Sequence, residues 1–132
     1  MNFALAGQFW NNKKGMEKSS LRTKAREFAI CVIAICDAVD QRKGREVLVK
    51  QLIRSATSIG ANIYEANYAA SKVDFANKLQ IALKECFESE YWIDLLGAVN
   101  AIKKADKEKL LLDSGIIRRM LVKSINTCKG AI

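Results

Sequence analysis

RSATSIGANIYEANYAASKVDFANKLQIALKECFESEYWIDLL, residues 54–96, decides the fold, because it holds parts of two helical patterns and the break between them. In the first pattern Val47-Leu48, Leu52-Ile53, Ile59 and Ile63 keep the i, i+3, i+4 rhythm of a helix that buries one face. Ser55, Ala56, Ser58, Gly60 and Ala61 fall within two turns of that helix and thin it, so that another backbone can come close. Glycine in a helix interior costs roughly 1 kcal/mol against alanine. Gly60 therefore asks for a reason, either a tight crossing inside one subunit or a subunit or ligand contact. Ser71 followed by Asp74 then reads as a helix N-cap, a capping box with aspartate in place of the usual glutamate. From there the spacing predicts a third helix to about Ala101 or beyond, with Phe75, Leu79, Ala82, Cys86 and Ile93 on one apolar line. Leu83, Phe87, Leu95 and Leu96 broaden that line. Asp74 with Lys78, and Lys84 with Glu88, are spaced as i, i+4 pairs on its wet side.

Before this segment a first helix is predicted from about Leu21 to Val39, with Ala25, Phe28, Val32, Ile35 or Cys36, and Val39 on its apolar side. Asp40 to Gly44 has the polar residues and terminal glycine of a turn, and the second helix follows from about Arg45 to Tyr68. The charged run KKADKEK, residues 103–109, reads as a turn or frayed end. A fourth helix uses Leu110, Ile117, Leu121 and Cys128, with Met120 and Ile125 beside them. Residues 1–19 show no sustained periodicity and read as a mobile leader, with Met16 a candidate natural start, while residues 20–132 make the bundle. The chain has no proline, only 7 glycines and 50% hydrophobic residues, which favours long uninterrupted helices. Its 132 residues suit one domain that needs no disulfide or metal to fold. The fold class is all-α, an antiparallel up-down-up-down four-helix bundle.

Composition removes several function classes. Cys31, Cys36, Cys86 and Cys128 sit in apolar helical runs without CxxC spacing, as small core residues do in a reducing cytosol. The absence of histidine makes Ser-His-Asp and Cys-His devices impossible and removes the commonest proton shuttle and metal ligand. No apolar run reaches transmembrane length and the opening residues lack a charged n-region, so a cytoplasmic protein is expected. No cofactor, metal or catalytic residue is predicted.

The run SATSIGANIYEA followed by SKVDFANKLQIALKECFESEYWIDLL resembles the four-helix-bundle proteins encoded by intervening sequences within bacterial large-subunit ribosomal RNA genes, the 23S rRNA intervening sequences. The accessory variability proteins of diversity-generating retroelements are related to them. The resemblance rests on Ser58, Gly60 to Ile63, Glu65 and Ala66, then on Ser71, Asp74, Phe75, Lys78, Leu79, Ile81 to Glu85, and on Glu88, Tyr91 and Trp92. It covers residues 17 to about 125. What it implies is a helical bundle assembled into a ring-shaped homopentamer with a basic surface; for the retroelement relatives it also implies binding to nucleic acid and to a reverse transcriptase.

Asn62, Glu65, Lys84, Glu85 and Glu88 stand between apolar positions and call for a polar network between the second and third helices or between subunits. Glu85 and Glu88 at i, i+3 have the spacing of an acid and base pair or a divalent-ion site, but the Glu-x-x-His motif of bundle metal sites is impossible here. Tyr64 and Tyr68, one turn apart, and the adjacent Tyr91 and Trp92 suit helix packing or a subunit interface, or stacking on unpaired bases; Trp92 reads as core. The 22 lysines and arginines against 14 acidic residues give a net charge of +8, which favours a polyanionic partner. Arg22, Arg26, Arg45, Arg118, Arg119 and Lys123 are the candidate phosphate contacts, with side chains expected to contribute little to the core. Ser58, Gly60, Ala61, Asn62 and Tyr64 are the candidate oligomer or helix contacts. The leading reading is a non-enzymatic, homo-oligomeric accessory protein that binds nucleic acid, RNA above all, through phosphates and with little sequence specificity. The alternative is a scaffold ring for a protein such as a reverse transcriptase.

Overall fold

The computed structural model describes residues 21–42 and 44–130. The leader expected over residues 1–19 lies outside them. Among the described residues four helices follow one another: α1 over 21–37, α2 (Arg45–Ala66), α3 (Lys72–Ala98) and α4 (Lys104–Gly130). No strand occurs among the described residues.

The periodicity places the core as expected. Leu21, Ala25, Phe28, Val32, Cys36 and Val39 from α1 and its C-terminal turn are all buried. They meet Leu52, Ala56, Ile59 and Ile63 of α2, Phe75, Leu79, Ala82, Cys86, Ile93 and Leu96 of α3, and Leu110, Ile117, Leu121, Ile125 and Cys128 of α4. Truncating one of the large members, Phe28 or Phe75, removes about 3–5 kcal/mol. Phe87 departs from its expected place: it stands at the edge of the α3 apolar line and is 54% exposed. Trp92 is half-buried, packed on the core rather than within it.

Contacts across the bundle fix the antiparallel order. The start of α2 meets the end of α3, where Arg45 donates to the Val99 carbonyl at 2.9 Å, while Glu65 near the end of α2 pairs with Lys78 near the start of α3. Asp94 pairs with Lys107 at 3.2 Å, and at the opposite end Cys128 lies 3.7 Å from the Lys72 carbonyl. Gly60 of α2 faces Ala25 of α1, and a small cleft lined by Lys24, Glu27, Lys109 and Asp113 lies between α1 and α4. Each helix thus touches its two neighbours in a closed square.

The helix ends show why some expected boundaries shift. α2 stops at Ala66, short of Tyr68, because Asn67 and Tyr68 donate to the carbonyls of Tyr64 and Glu65 in a tightened i to i+3 turn. Ser71 caps α3 as expected, its hydroxyl accepting from the Asp74 amide at 3.0 Å; the Asp74 carboxylate reaches back to the Ala70 amide instead of the N-cap's own. α3 ends earlier than about Ala101. Asn100 takes the left-handed conformation, φ 59°, and the amides of Asn100 and Ala101 bond the carbonyls of Gly97 and Leu96, a Schellman ending with asparagine where glycine is usual. The charged run 103–109 is not a frayed end. From Lys104 onward it forms the first turns of α4.

Candidate nucleic-acid interface

The seam between α2 and α3 consumes its charges internally. Arg54 donates to both Glu85 and Glu88, and Glu88 also accepts from the Trp92 indole N–H at 3.0 Å. The polar network that Glu85 and Glu88 called for is therefore a cross-helix one with Arg54 at its centre, a residue the sequence reading did not single out. The Trp92 hydrogen bond and the Arg54 guanidinium hold the Glu88 carboxyl below the usual carboxylate range. A guanidinium stands where an acid and base pair or a divalent ion would need open space. Beneath this network two fully buried serines satisfy each other: Ser89 donates to Ser55 at 2.9 Å, and Ser55 to the Leu52 carbonyl at 3.2 Å. Lys78 and Glu88 take these cross-helix partners in place of the i, i+4 pairs expected along α3.

The seam between α3 and α4 is built on Glu90. One of its carboxylate oxygens accepts from the buried Ser114 hydroxyl at 2.6 Å and from Arg118 Nε at 3.2 Å. The Arg118 guanidinium also lies over the Phe87 ring, 5.5 Å from its centroid. Arg118 is thus part of the packing between two helices, and Arg45 is tied to Val99, against the expectation that both contribute little. Arg119 and Arg26 are exposed and have no carboxylate partner among the described residues. Lys123 is exposed as well, and Arg22 lies over the Tyr64 ring at 5.3 Å. α4 carries seven lysines and arginines against three acidic residues. α3 carries three against five.

Within this frame the comparisons with known proteins agree. The 23S rRNA-intervening sequence protein family matches residues 17–123. This chain belongs to that family. It is also similar to a crystal structure of a protein of unknown function from the S23 ribosomal protein family of Bacteroides thetaiotaomicron, with 39% identity and a TM-score of 0.77 over 84% of this chain and 99% of that one. No curated protein matches.

In this intervening-sequence family member the small-residue patch is not one surface. Gly60 and Tyr64 face α1, where a Cβ at position 60 would stand 3.7 Å from that of Ala25. Ala61 points outward, while Ser58 and Asn62 are half-buried and satisfied along their own helix by the Arg54 and Ser58 carbonyls. Thiol chemistry is suppressed at the core positions: burial, with Asp37 nearby, pushes Cys36 up to about 11, and burial beside Glu90 pushes Cys86 up to about 12. Among the described residues no group of three or more acidic or sulfur ligands is placed to hold a metal ion. No helix among them is long and apolar enough to cross a membrane.

Proposed function

We propose that this protein is a non-enzymatic accessory protein that binds nucleic acid, RNA above all, through phosphate contacts made by a homopentameric ring. The observation that carries the reading is that Arg26 and Arg119, exposed on the outer sides of two neighbouring helices, have no carboxylate partner among the described residues in a chain of net charge +8. Each phosphate neutralised by such a group releases a counterion, and repetition around a ring multiplies the gain. The charges of the α2–α3 seam pair with one another and leave one negative charge over, so the positive excess lies with cations outside it.

Binding of bare RNA measured against salt concentration tests the reading. Affinity falls linearly on a log–log scale, and Arg26→Glu with Arg119→Glu weakens binding to every sequence alike while reducing the slope by about one unit for each phosphate no longer neutralised. An unchanged slope in that double variant moves the interface elsewhere. Native mass spectrometry tests the ring, since a single species at 14.7 kDa overturns it. Val73, Ile81 and Tyr91, exposed along α3, favour a second reading, a scaffold for a protein partner such as a reverse transcriptase. That reading takes over if wild-type protein retains no RNA at low salt.

A further inference from the structure

We propose that Arg118, Arg119 and Phe87 form a seat for one unpaired nucleotide, its phosphate held by the two guanidinium groups and its base laid on the phenylalanine ring. The assignment rests on the nucleic-acid reading above and gives it a site. Residues three and four places beyond a helical position both lie over it, so Arg118 and Arg119 share the turn above Gly115. Arg119 Nη1 lies 3.4 Å, and Arg118 Nη2 3.6 Å, from the single point that a Cβ on Gly115 would occupy. Gly115, one turn back, is the floor that lets both side chains lie over the helix.

Two like charges this close repel unless something offsets them. Glu90 offsets one only, through Arg118 Nε, and the buried Ser114 hydroxyl fixes the carboxylate oxygen that does it. One positive charge remains, and the Nη groups of Arg118 have no bond to Glu90. Planar forks of this kind match the tetrahedral oxygens of a phosphate. The same contact that holds Arg118 aligns it over Phe87, a residue that stays more than half exposed although it belongs to the apolar line of α3. An aromatic ring beside paired cations suits a base that is free to unstack. Duplex RNA offers the phosphate but keeps its bases paired, so the seat discriminates strandedness rather than sequence.

A fluorescent oligoadenylate strand and a duplex RNA of matched length read this out. Wild-type protein binds the single strand more tightly; Phe87→Ala, at an exposed position, weakens the single strand about tenfold and leaves the duplex unchanged. Arg119→Gln weakens both. A 5-iodouracil-substituted strand photo-crosslinks to the peptide that contains Phe87. If RNA binding persists but Phe87→Ala leaves single-strand affinity unchanged, or the crosslink maps elsewhere, the seat is overturned and the general phosphate reading stands. A Phe87→Ala variant of lower oligomer mass also overturns it, by giving the ring to a subunit contact. Wild-type protein that retains neither RNA removes both.

Discussion

The α2–α3 seam and the outer side of α4 use the same residue types to opposite ends. At the seam one arginine, Arg54, is shared by two glutamates, one of which also holds a tryptophan, so these three charges have partners on the facing helix. On α4 two arginines are adjacent in sequence, yet one glutamate serves only the first of them. A charge with a partner contributes to folding; a charge without one is available to a ligand. The boundary between the two regimes runs through Arg118, whose Nε is bound to Glu90 while its Nη2 lies with Arg119 over Gly115.

That boundary gives the largest effect on stability expected outside the apolar core. Arg118→Glu would set a second carboxylate against Glu90 while stripping the packing over Phe87, a loss of about 2 kcal/mol by urea denaturation. Arg119→Glu, fully on the wet side, should stay within about 0.5 kcal/mol of wild type. Equal losses in the two variants would erase the distinction. Losses in the reverse order would make Arg119 the structural residue and remove the proposed nucleotide seat with it.

A second comparison is within α2 itself. Gly60 sits against Ala25, but a Cβ there would make only an ordinary 3.7 Å contact, so the crossing does not require glycine. Gly60→Ala should therefore raise the chain's stability by about 0.5–1 kcal/mol through helix propensity. If the glycine serves the ring instead, the same variant loses oligomer mass in native mass spectrometry. A more stable chain that keeps its full assembly would show that no subunit contact depends on Gly60. A less stable one would place α1 closer than 3.7 Å allows.

How far the sequence could be read depended on which interactions have a period. Burial has one, and the α1 line of Ala25, Phe28, Val32 and Val39 emerged from spacing alone, with Ile35 or Cys36 left open until the structure buried Cys36. Ser71 was legible because capping is a local rule over four residues. The α4 start was not, because KKADKEK has only Ala105 to mark an apolar face, and the stop before it depends on Asn100 adopting a left-handed conformation that any asparagine can take or decline. Cross-helix partners have no signature along the chain at all. Glu88 four residues from Lys84 reads as an i, i+4 pair, while its actual partner, Arg54, is set by how α2 and α3 register in space. Arg118 and Arg119 look alike in sequence for the same reason: about a hundred degrees of helix separates a packing residue from a wet one, and at the edge of a face that difference is decided by the neighbour.

The smallest expected effect tests whether the α2–α3 network stabilises the fold as its geometry implies. Glu88 is held below its ordinary value of 4.5 first by the Trp92 hydrogen bond and then by Arg54. A carboxyl whose folded pKa is depressed contributes stability that is fully present above the unfolded value and is lost as pH falls through the folded one. The window therefore opens just below pH 4.5 and extends downward. Because Glu88 and Arg54 are both partly exposed, water screens the pair and the contribution is about half a kcal/mol. Glu88→Gln should lower stability by that amount at neutral pH and flatten the acid limb of the stability curve, whereas Arg119→Gln should leave that limb as it is. An acid limb unchanged by Glu88→Gln would mean that the contacts with Arg54 and Trp92 are too fluid in solution to hold the proton off, and the α2–α3 seam would then differ from the outer side of α4 in geometry but not in energy.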